Sequence, residues 1–433
     1  MGKYLSISLS IAIFLIFGFT LLHNALNAPS FDDYDTTLNF IRRFYYENFG
    51  FGIRRDILLS RHNEHRILFS KSTAALYYYL FHEINFTNLV VFQNVFLVGF
   101  FALIMATMKE KGLLSAETLL WAAVFLSSLA FWQVTFYYWG GIQHYTVFFF
   151  SFLSLFLLNK ASRLNEATFL IALLAVIIAV LSFGNGFITL FLGAFLLFAQ
   201  KKWSLLIVWG SIALGLLLIT FLPLPPSVHT ASGVAFNAQW MARLLLTFLG
   251  SFFYVNPSSG QHINIILCMC IGLFVLLCWI WLFLKGYAFR NPLLYCMLSM
   301  PILTGIIISI SRFESKAAGG IAPRYMFFSA TIPVLLVLIF MEIKILKKEH
   351  LKYMGFLGVL LWGIVFFNNY KALVKSNEQI VTTLNNWEKD HTTPLIYYQE
   401  AEEFSEILNW AVTAHVISIP DAGKNFTEES ERK

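Results

Sequence analysis

The sequence predicts an all-α integral membrane protein with about eleven transmembrane helices. Of its 433 residues, 58% are hydrophobic and 12% are charged, whereas soluble domains carry about 25% charged residues. The mean hydropathy is +0.69. The hydrophobic residues form long runs, and twelve of the thirty Lys and Arg residues stand in short runs between them. A water-soluble fold of this length could not bury so much apolar surface, so lipid is the expected solvent.

Eleven apolar segments are the candidates for membrane crossing, since a helix needs about 17–25 apolar residues to span the bilayer. The first segment could be mistaken for a signal peptide, but it is long and lacks an A-x-A cleavage site, so we interpret it as a signal anchor. Two segments, 145–158 and 186–199, are short for a crossing, and the charge pattern decides for them. In chain order the candidates are 5–27, 86–108, 113–134, 145–158, 167–183, 186–199, 204–222, 263–284, 292–310, 326–343 and 353–368.

Short basic runs between these segments predict the orientation, because the positive-inside rule places short Lys- and Arg-rich loops in the cytoplasm. An even number of crossings must then separate successive runs, and each interval has room for one hairpin. With Lys3 inside, the N-terminus is cytoplasmic and the C-terminus is external. The basic runs are Lys109/Lys111, Lys160/Arg163, Lys201/Lys202, Lys285/Arg290 and Lys344/Lys347/Lys348/Lys352.

The predicted organisation is a transmembrane domain, residues 1–368, followed by an external polar tail, residues 369–433. The first outer loop, 28–85, is long and rich in charged and aromatic residues, and we expect interfacial helices in it. Shorter outer loops are expected at 135–144, 223–262 and 311–325. The net charge is +6, and the short basic runs between apolar segments follow the positive-inside pattern, so membrane lipids are expected partners and nucleic acid is not.

An acidic motif, FDDYD, opens the first outer loop directly after the first apolar segment. It contains Asp32, Asp33 and Asp35. Carboxylates beside a membrane are costly unless they are paired, hydrogen-bonded or used, and adjacent like charges raise one another's pKa, which suits a proton acceptor. The alternative is structural, because acidic residues also cap the first turn of a helix, and the following TTLNFIRRF has helical character.

A second cluster in the same loop is basic. Because it is predicted to lie outside, it departs from the positive-inside pattern, although long loops are partly exempt. It either receives an anionic lipid head group or is an ordinary interfacial helix with snorkelling side chains. The histidines lack the H-E-x-x-H spacing, and no metal site is expected. The cluster comprises Arg54, Arg55, Arg61, His62, Glu64, His65, Arg66 and Lys71.

The short loop 311–325 also carries positive charge on the predicted outer side. Arg312 and Arg324 flank the flexible stretch AAGGIAP, and Tyr325 follows directly. An Arg beside glycines at the membrane rim suits bidentate phosphate binding, and the alternative is a salt bridge to Glu314 or to the first loop. His144 is expected at the mouth of a helix, either as a substrate contact or as an interfacial polar group.

These features together resemble the GT-C superfamily of membrane glycosyltransferases. Those proteins have a cytoplasmic N-terminus, many helices and an acidic motif after the first helix, where Asp32 and Asp33 stand here. The run RHNEHR before an apolar helix and the later Arg-Tyr loop are similar to bacterial members, and the loop plan is similar to that of glucosyltransferases that modify O-antigen. Many relatives carry a second acidic motif in the next outer loop. Residues 135–144 contain none, and Glu64 is the expected substitute.

The resemblance implies a donor sugar, a hexose such as glucose, on a polyprenyl phosphate, and a hydroxyl acceptor on a lipid-linked glycan, a lipid or a protein. Asp32 or Asp33, with Asp33 preferred, takes the acceptor proton during an inverting attack on the anomeric carbon. Arg66, Arg312, Arg324 and Tyr325 bind the donor phosphate. The expected substrate contacts are Asp35, Arg61, His62, His65 and His144.

The resemblance also implies a place in the bacterial inner membrane, with the active site on the outer side. No cofactor is expected, and the need for a divalent metal stays open. A transporter or flippase is the competing class, and it predicts ionisable residues near the middle of several spans. A lipid-linked glycan polymerase or ligase shares the same substrates and is a further alternative.

Overall fold

Helices make up most of the chain that the structure describes. The computed structural model describes residues 2–47, 50–62, 65–221, 237–312, 322–395 and 401–420. Eight of its helical segments are long and apolar enough to cross a membrane. The prediction of an all-α integral membrane protein is therefore confirmed.

The elements alternate long helices with short irregular turns. Between the first and second α-helices the chain makes two π-helical segments, Tyr34–Asn39 and Arg42–Glu47, and short 3₁₀ turns precede or follow several later helices. A two-residue hairpin pairs β1 (Arg61–His62) with β2 (His65–Arg66) in antiparallel register. The α-helices are α1 (Lys3–Asn24), α2 (Phe51–Leu59), α3 (Leu68–Phe81), α4 (Phe86–Glu110), α5 (Ala116–Leu126), α6 (Trp132–Phe136), α7 (Tyr138–Lys160), α8 (Ala167–Ser182), α9 (Ile188–Ala199), α10 (Trp203–Phe221), α11 (Ala238–Gly250), α12 (Gln261–Leu284), α13 (Tyr287–Arg290), α14 (Pro292–Ser311), α15 (Pro323–Glu342), α16 (Lys348–Lys389) and α17 (Ala401–Thr413).

The length criterion separates the apolar helices into two groups. The eight long spans are α1, α4, α5 with α6, α7, α12, α14, α15 and α16. Three shorter apolar helices, Ala167–Ser182, Gly184–Ala199 and Trp203–Leu218, also lie in the bundle. A 16-residue helix is about 24 Å long, which is less than the roughly 30 Å of a hydrocarbon core.

The bundle has a buried centre and a lipid-facing periphery. The apolar windows of α7, α14 and α15 are 78%, 78% and 83% buried, whereas those of α1, α12 and α16 are 33%, 28% and 22% buried. The peripheral helices carry many exposed large apolar side chains, such as Leu15 on α1 and Phe274 on α12. Such surfaces are stable when lipid covers them.

The segment 135–144 was expected to be a loop, but most of it is helical. α7 begins at Tyr138, so it is seven residues longer at this end than the apolar run suggests. Gln93 of α4 donates hydrogen bonds to the carbonyl oxygens of Val134 and Thr135, at 3.0 and 3.3 Å, where the chain breaks between α6 and α7. A Cβ on Gly141 would lie 2.0 Å from Nε2 of Gln93, so only glycine admits this contact.

One end of the bundle, which we call the basic end, gathers the short Lys- and Arg-rich loops. Side chains from loops far apart in sequence contact one another there, as expected if these loops share one side of a membrane. The contacts are Lys160 Nζ to Glu110 Oε2 (2.9 Å), Lys111 Nζ to Asn291 Oδ1 (3.2 Å), Lys202 Nζ to the Asn159 carbonyl oxygen (2.8 Å) and Lys348 Nζ to Glu117 Oε2 (3.7 Å).

The opposite end carries a cap, which we define as the described residues of 25–85 together with those of 371–420. The tail is part of this cap, because α16 runs without a break from the apolar segment into it and α17 packs on the π-helical segment after Asp33. The tail contacts the end of α1 through Asn377 Nδ2 and the Asn24 carbonyl oxygen (2.9 Å). Its contacts with the first loop include the Ile84 N–H to the Val416 carbonyl oxygen (2.7 Å), Arg42 to Glu406 (3.1 Å) and the stacked rings of Tyr34 and Phe404 (5.0 Å).

Candidate active site

The acidic motif lies in a tight turn between α1 and the first π-helical segment. Phe31 has a φ of 48°, a conformation that costs energy for a side chain of this size. Two residues later, Asp33 is fully buried, and its Oδ2 accepts hydrogen bonds from the backbone N–H and hydroxyl of Ser30, both at 3.2 Å. The turn therefore closes on the carboxyl of Asp33.

Asp33 also lies against the start of α7. Burial raises the pKa of this carboxyl well above its usual value, and the negative charge of Asp32 adds to the rise. The hydrogen bonds from Ser30 and from the backbone N–H of Trp139 act in the opposite direction without cancelling it. Asp33 is thus an enclosed carboxyl that connects the acidic turn to the N-terminal end of α7.

Asp32 and Asp35 face a different partner, the imidazole of His62 on β1. His62 Nδ1 lies 2.9 Å from Asp35 Oδ2, and its Nε2 lies 3.6 Å from Asp32 Oδ2. The side chain of His62 is 18% exposed, whereas that of Asp32 is 45% exposed. Of the two adjacent carboxyls, that of Asp32 is partly exposed and that of Asp33 is buried.

The two sides of this ion pair shift one another's protonation in opposite directions. Burial lowers the pKa of His62, but its hydrogen bonds and charge interactions with Asp32 and Asp35 outweigh burial and raise the pKa to about 9. Burial raises the pKa of Asp35, but the contacts with His62 and Asn39 outweigh it and lower the pKa to about 2. Near neutral pH the cluster therefore holds an imidazolium beside carboxylates.

Basic side chains also lie beside the cluster of Asp32, Asp35 and His62. Lys71 of α3 is buried, and its ammonium donates to the Ser60 carbonyl oxygen at 3.0 Å and to the Ser60 hydroxyl at 2.7 Å. Burial, with the nearby charges of Arg43 and Arg66, lowers its pKa to about 8, and Asp35 partly offsets this. A cavity of about 40 Å³ lies between Asp35, Arg61, His62 and Lys71. It has room for one or two water molecules.

Arg66 on β2 forms a hydrogen bond with the end of α2. It is buried, and its Nη1 donates to the Leu59 carbonyl oxygen at 2.8 Å. Burial and the charge of Arg61 lower its pKa. Arg61, its strand partner in the hairpin, lines the small cavity instead.

Arg324, at the start of α15, is connected to the acidic turn by a series of contacts between aromatic rings. Its guanidinium carbon lies 4.9 Å from the ring centre of Tyr325 and 5.7 Å from that of Trp139. The Trp139 ring in turn lies 5.5 Å from Phe31, next to Asp32. Trp139 thus connects Arg324 to the acidic turn: its backbone N–H donates to the Asp33 carboxyl, and its indole ring contacts the guanidinium.

Several predicted site residues lie elsewhere or outside the described residues. Glu64 is outside them, and for His65 only the backbone, paired with His62, is described. Arg312 is half-buried at the end of α14, and the loop from 313 to 321 that joins it to Arg324 is outside the described residues. The structure therefore brings together Asp32, Asp33, Asp35, Arg61 and His62 on one side, and Arg324 with Tyr325 on the other.

His144 is not at the mouth of a helix, as its position after a predicted loop suggested. It lies in the second turn of α7 and is 2% exposed. Its Nδ1 is 2.6 Å from the Gly140 carbonyl oxygen, and its ring stacks on Phe328 with centres 4.8 Å apart. The reason is that α7 starts earlier than its apolar run, so His144 is carried inward, one ring layer beyond Tyr325.

Two residues that contribute to this region were not singled out by the sequence. Ser30 holds Asp33 through two hydrogen bonds, and Trp139 links it to Arg324. No local pattern in the sequence signals either contact. No protein-family model, no curated protein and no solved structure matches the chain.

Proposed function

We propose that this protein is a membrane glycosyltransferase that transfers a sugar from a polyprenyl phosphate to a hydroxyl of a lipid-linked glycan, such as O-antigen. The observation that carries the proposal is the accessible carboxylate of Asp32, held 3.6 Å from the His62 imidazole where the first membrane helix ends. Sugar transfer of this kind needs a proton acceptor at the membrane surface, where a lipid carrier presents the anomeric carbon.

In the proposed reaction Asp32 takes the proton of the acceptor hydroxyl while that oxygen attacks the anomeric carbon. The bond between the sugar and the phosphate oxygen breaks, polyprenyl phosphate leaves with the bonding electrons, and the anomeric centre inverts. His62, anchored by Asp35, holds Asp32 in place for this step. Asp33 is fully enclosed, so we assign it the structural task of fixing the turn.

The donor phosphate belongs, in this proposal, beside Arg324. The guanidinium lies over the rings of Trp139 and Tyr325, and the planar fork of an Arg can bind two phosphate oxygens at once. Arg61 lines the small cavity beside His62 and provides further positive charge. Positive charge here stabilises the phosphate as it leaves.

We further propose the full topology expected from the sequence. The three shorter apolar helices cross the membrane with the eight long ones, giving eleven spans with the basic end in the cytoplasm. The cap and the site then lie outside the inner membrane of a bacterium. The lipid-linked sugar, the glycan acceptor and the surrounding membrane lipids would all be within reach there.

The distribution of charge favours an enzyme over a transporter. A transporter is expected to bury ionisable side chains near the middle of its spans. Among the described residues, the buried Asp, Lys and Arg side chains are in the cap, and buried Glu117 is at the basic end beside Lys348. A polymerase or ligase would use the same site, and its products distinguish it.

The test compares surface glycans with and without the gene by mass spectrometry. We expect the loss of a single hexose substituent from each acceptor unit, and its return when the gene is restored. Purified protein in lipid should then transfer a labelled sugar from polyprenyl phosphate to the glycan isolated from the deletion strain. A change in glycan chain length without the loss of a substituent would identify a polymerase or ligase, and unchanged glycans would contradict the proposal.

A further inference from the structure

One cavity lies far from this site, at the basic end. It measures about 460 Å³ and is open on one side, between the C-terminal ends of α12 and α15 and the short helix α13. Trp281 and Ile345 contribute apolar walls, and Lys285, Arg290 and Asn291 contribute polar ones. Nothing in the proposed sugar transfer uses this cavity.

Two exposed cations stand at its mouth. Lys285 follows the last turn of α12, where the partial negative charge of the helix C-terminus stabilises it. Arg290 ends α13, and its Nη2 donates to the Lys285 carbonyl oxygen at 3.2 Å, which fixes the two basic residues next to each other. Paired cations of this kind bind a phosphate group well.

The carboxylate of Glu342 also lines the cavity, but hydrogen bonds inside the protein already occupy it. Asn291 Nδ2 donates to both of its oxygens, at 2.6 and 2.7 Å, and the hydroxyl of Tyr287 donates to one of them. Lys111 lies 3.2 Å from Asn291 Oδ1, so a third cation stands behind the wall. The cavity therefore has a net positive charge.

The surroundings of the mouth are apolar and exposed. Trp281 is 39% exposed, Leu284 77% and Ile345 57%. α12 and α15 are both long enough to cross a membrane, so their ends lie at the boundary between acyl chains and head groups. A ligand in this place can keep a charged group in the cavity and hydrocarbon against the helices.

We propose that this cavity binds the head group of an anionic phospholipid from the surrounding leaflet. Its phosphate lies between Lys285 and Arg290, and its acyl chains lie along Trp281 and Leu284. Basic pockets between transmembrane helices suit such lipids, and the volume is in the range of small-molecule sites. A zwitterionic lipid carries its own cation, which Lys285 and Arg290 would repel.

The experiment uses the full-length protein in lipid nanodiscs and native mass spectrometry, with phosphatidylglycerol and phosphatidylcholine as probes. The double variant Lys285→Gln/Arg290→Gln should retain at least tenfold less phosphatidylglycerol than the wild type, with phosphatidylcholine unchanged. The matched control is Arg163→Gln/Lys201→Gln, which removes two exposed charges from the same end and should stay within twofold.

Equal retention of phosphatidylglycerol by the two double variants would overturn the proposal. A third arm adds inorganic phosphate at millimolar concentration. Phosphate that displaces the lipid as effectively as added phosphatidylglycerol would show a site for the soluble ion and would likewise overturn it. None of these readouts depends on sugar transfer, so this proposal and the proposed function can fail separately.

Discussion

At the scale of residues, the two neighbouring carboxyls of the acidic motif have different surroundings. Asp33 stands at the start of the π-helical segment with Ser30 donors around it, while Asp32 points toward His62 with nearly half of its side chain exposed. Side chains of adjacent residues in a helical turn project about 100° apart, so two neighbours can have different surroundings. Enclosure and access, rather than residue type, divide their roles.

Asp32→Asn and Asp33→Asn test this division. Removing the base should lower sugar transfer by about 10²–10⁴-fold in Asp32→Asn, at equal membrane abundance. Asp33→Asn should keep transfer within about tenfold. Burial raises the pKa of Asp33, so the fold loses stability as the pH rises from the usual carboxyl pKa toward the raised one. The melting temperature of Asp33→Asn at pH 7 should therefore not be lower than that of the wild type. A larger loss of transfer in Asp33→Asn would reverse the assignment.

The His62 cluster predicts a dependence of stability on pH. With its pKa raised to about 9 in the fold, His62 stabilises fully below about pH 6.5 and loses this contribution as pH rises through 9. The thermal midpoint of the wild type should exceed that of His62→Gln most at pH 6, and the difference should shrink toward pH 10. His350→Gln, at the exposed basic end, is the control. A difference that stays constant over this range would mean that His62 is not charged in the fold.

Arg324 predicts a graded loss of donor binding. Arg324→Ala should raise the KM for the polyprenyl-linked sugar at least tenfold, and Arg324→Lys should recover only part of this, because an ammonium has neither the planar fork nor the same stacking on Trp139. Arg163→Ala removes an exposed Arg far away and should leave KM unchanged. If Arg324→Ala alters only the amount of folded protein, the residue is structural.

At the scale of elements, the apolar runs predicted the helices well and their ends poorly. Each predicted segment is largely helical, although 113–134 is divided between α5 and α6, because desolvated backbone in lipid must form its own hydrogen bonds. The start of α7 was missed because Gln93 and the glycine at 141 stabilise it through a tertiary contact that no local pattern reveals. The acidic motif was predicted as a site from the local sequence. Its pairing with His62 and its closeness to Trp139 were not predicted, because they too are tertiary contacts.

The packing of α17 on the acidic turn predicts a local effect of Phe404→Ala. Phe404 is 5% exposed and stacks on Tyr34, so its removal should cost the cap about 3 kcal/mol. Hydrogen exchange of residues 34–39 should then speed up on the order of 100-fold, while that of α7 stays unchanged. Phe367→Ala, on the exposed face of α16, is the control for losing a ring. Equal exchange in both variants would mean that the cap does not depend on this stack.

At the scale of the whole molecule, the charge pattern and the fold agree on two unlike ends. The basic runs, spaced along more than half of the chain, meet one another at one end through contacts such as Lys348 to Glu117. The grouping of the basic runs at one end could be predicted from the sequence, because Lys and Arg in short loops determine how membrane helices are oriented during insertion. It could not anticipate that the tail joins the first loop in one cap, because their contacts pair residues that are hundreds of positions apart.

Cysteine labelling in intact cells tests the orientation. Lys201→Cys, at the basic end, should be protected from a membrane-impermeant maleimide, and Glu388→Cys, in the cap, should react. The wild type, with its four native cysteines, gives the background. Labelling of Lys201→Cys before the membrane is opened would contradict the eleven-span arrangement.

The contact between tail and first loop also sets an order of events during biosynthesis. Arg42 and Glu406 are 364 residues apart, so at about 5–20 residues per second the ribosome makes the second roughly 20–70 s after the first. During that interval Tyr34 lacks the packing of Phe404, because α17 has not yet been synthesised. A chain released early would keep every membrane helix up to α15 and still lack this cover. Completion of translation is therefore a condition for a finished cap.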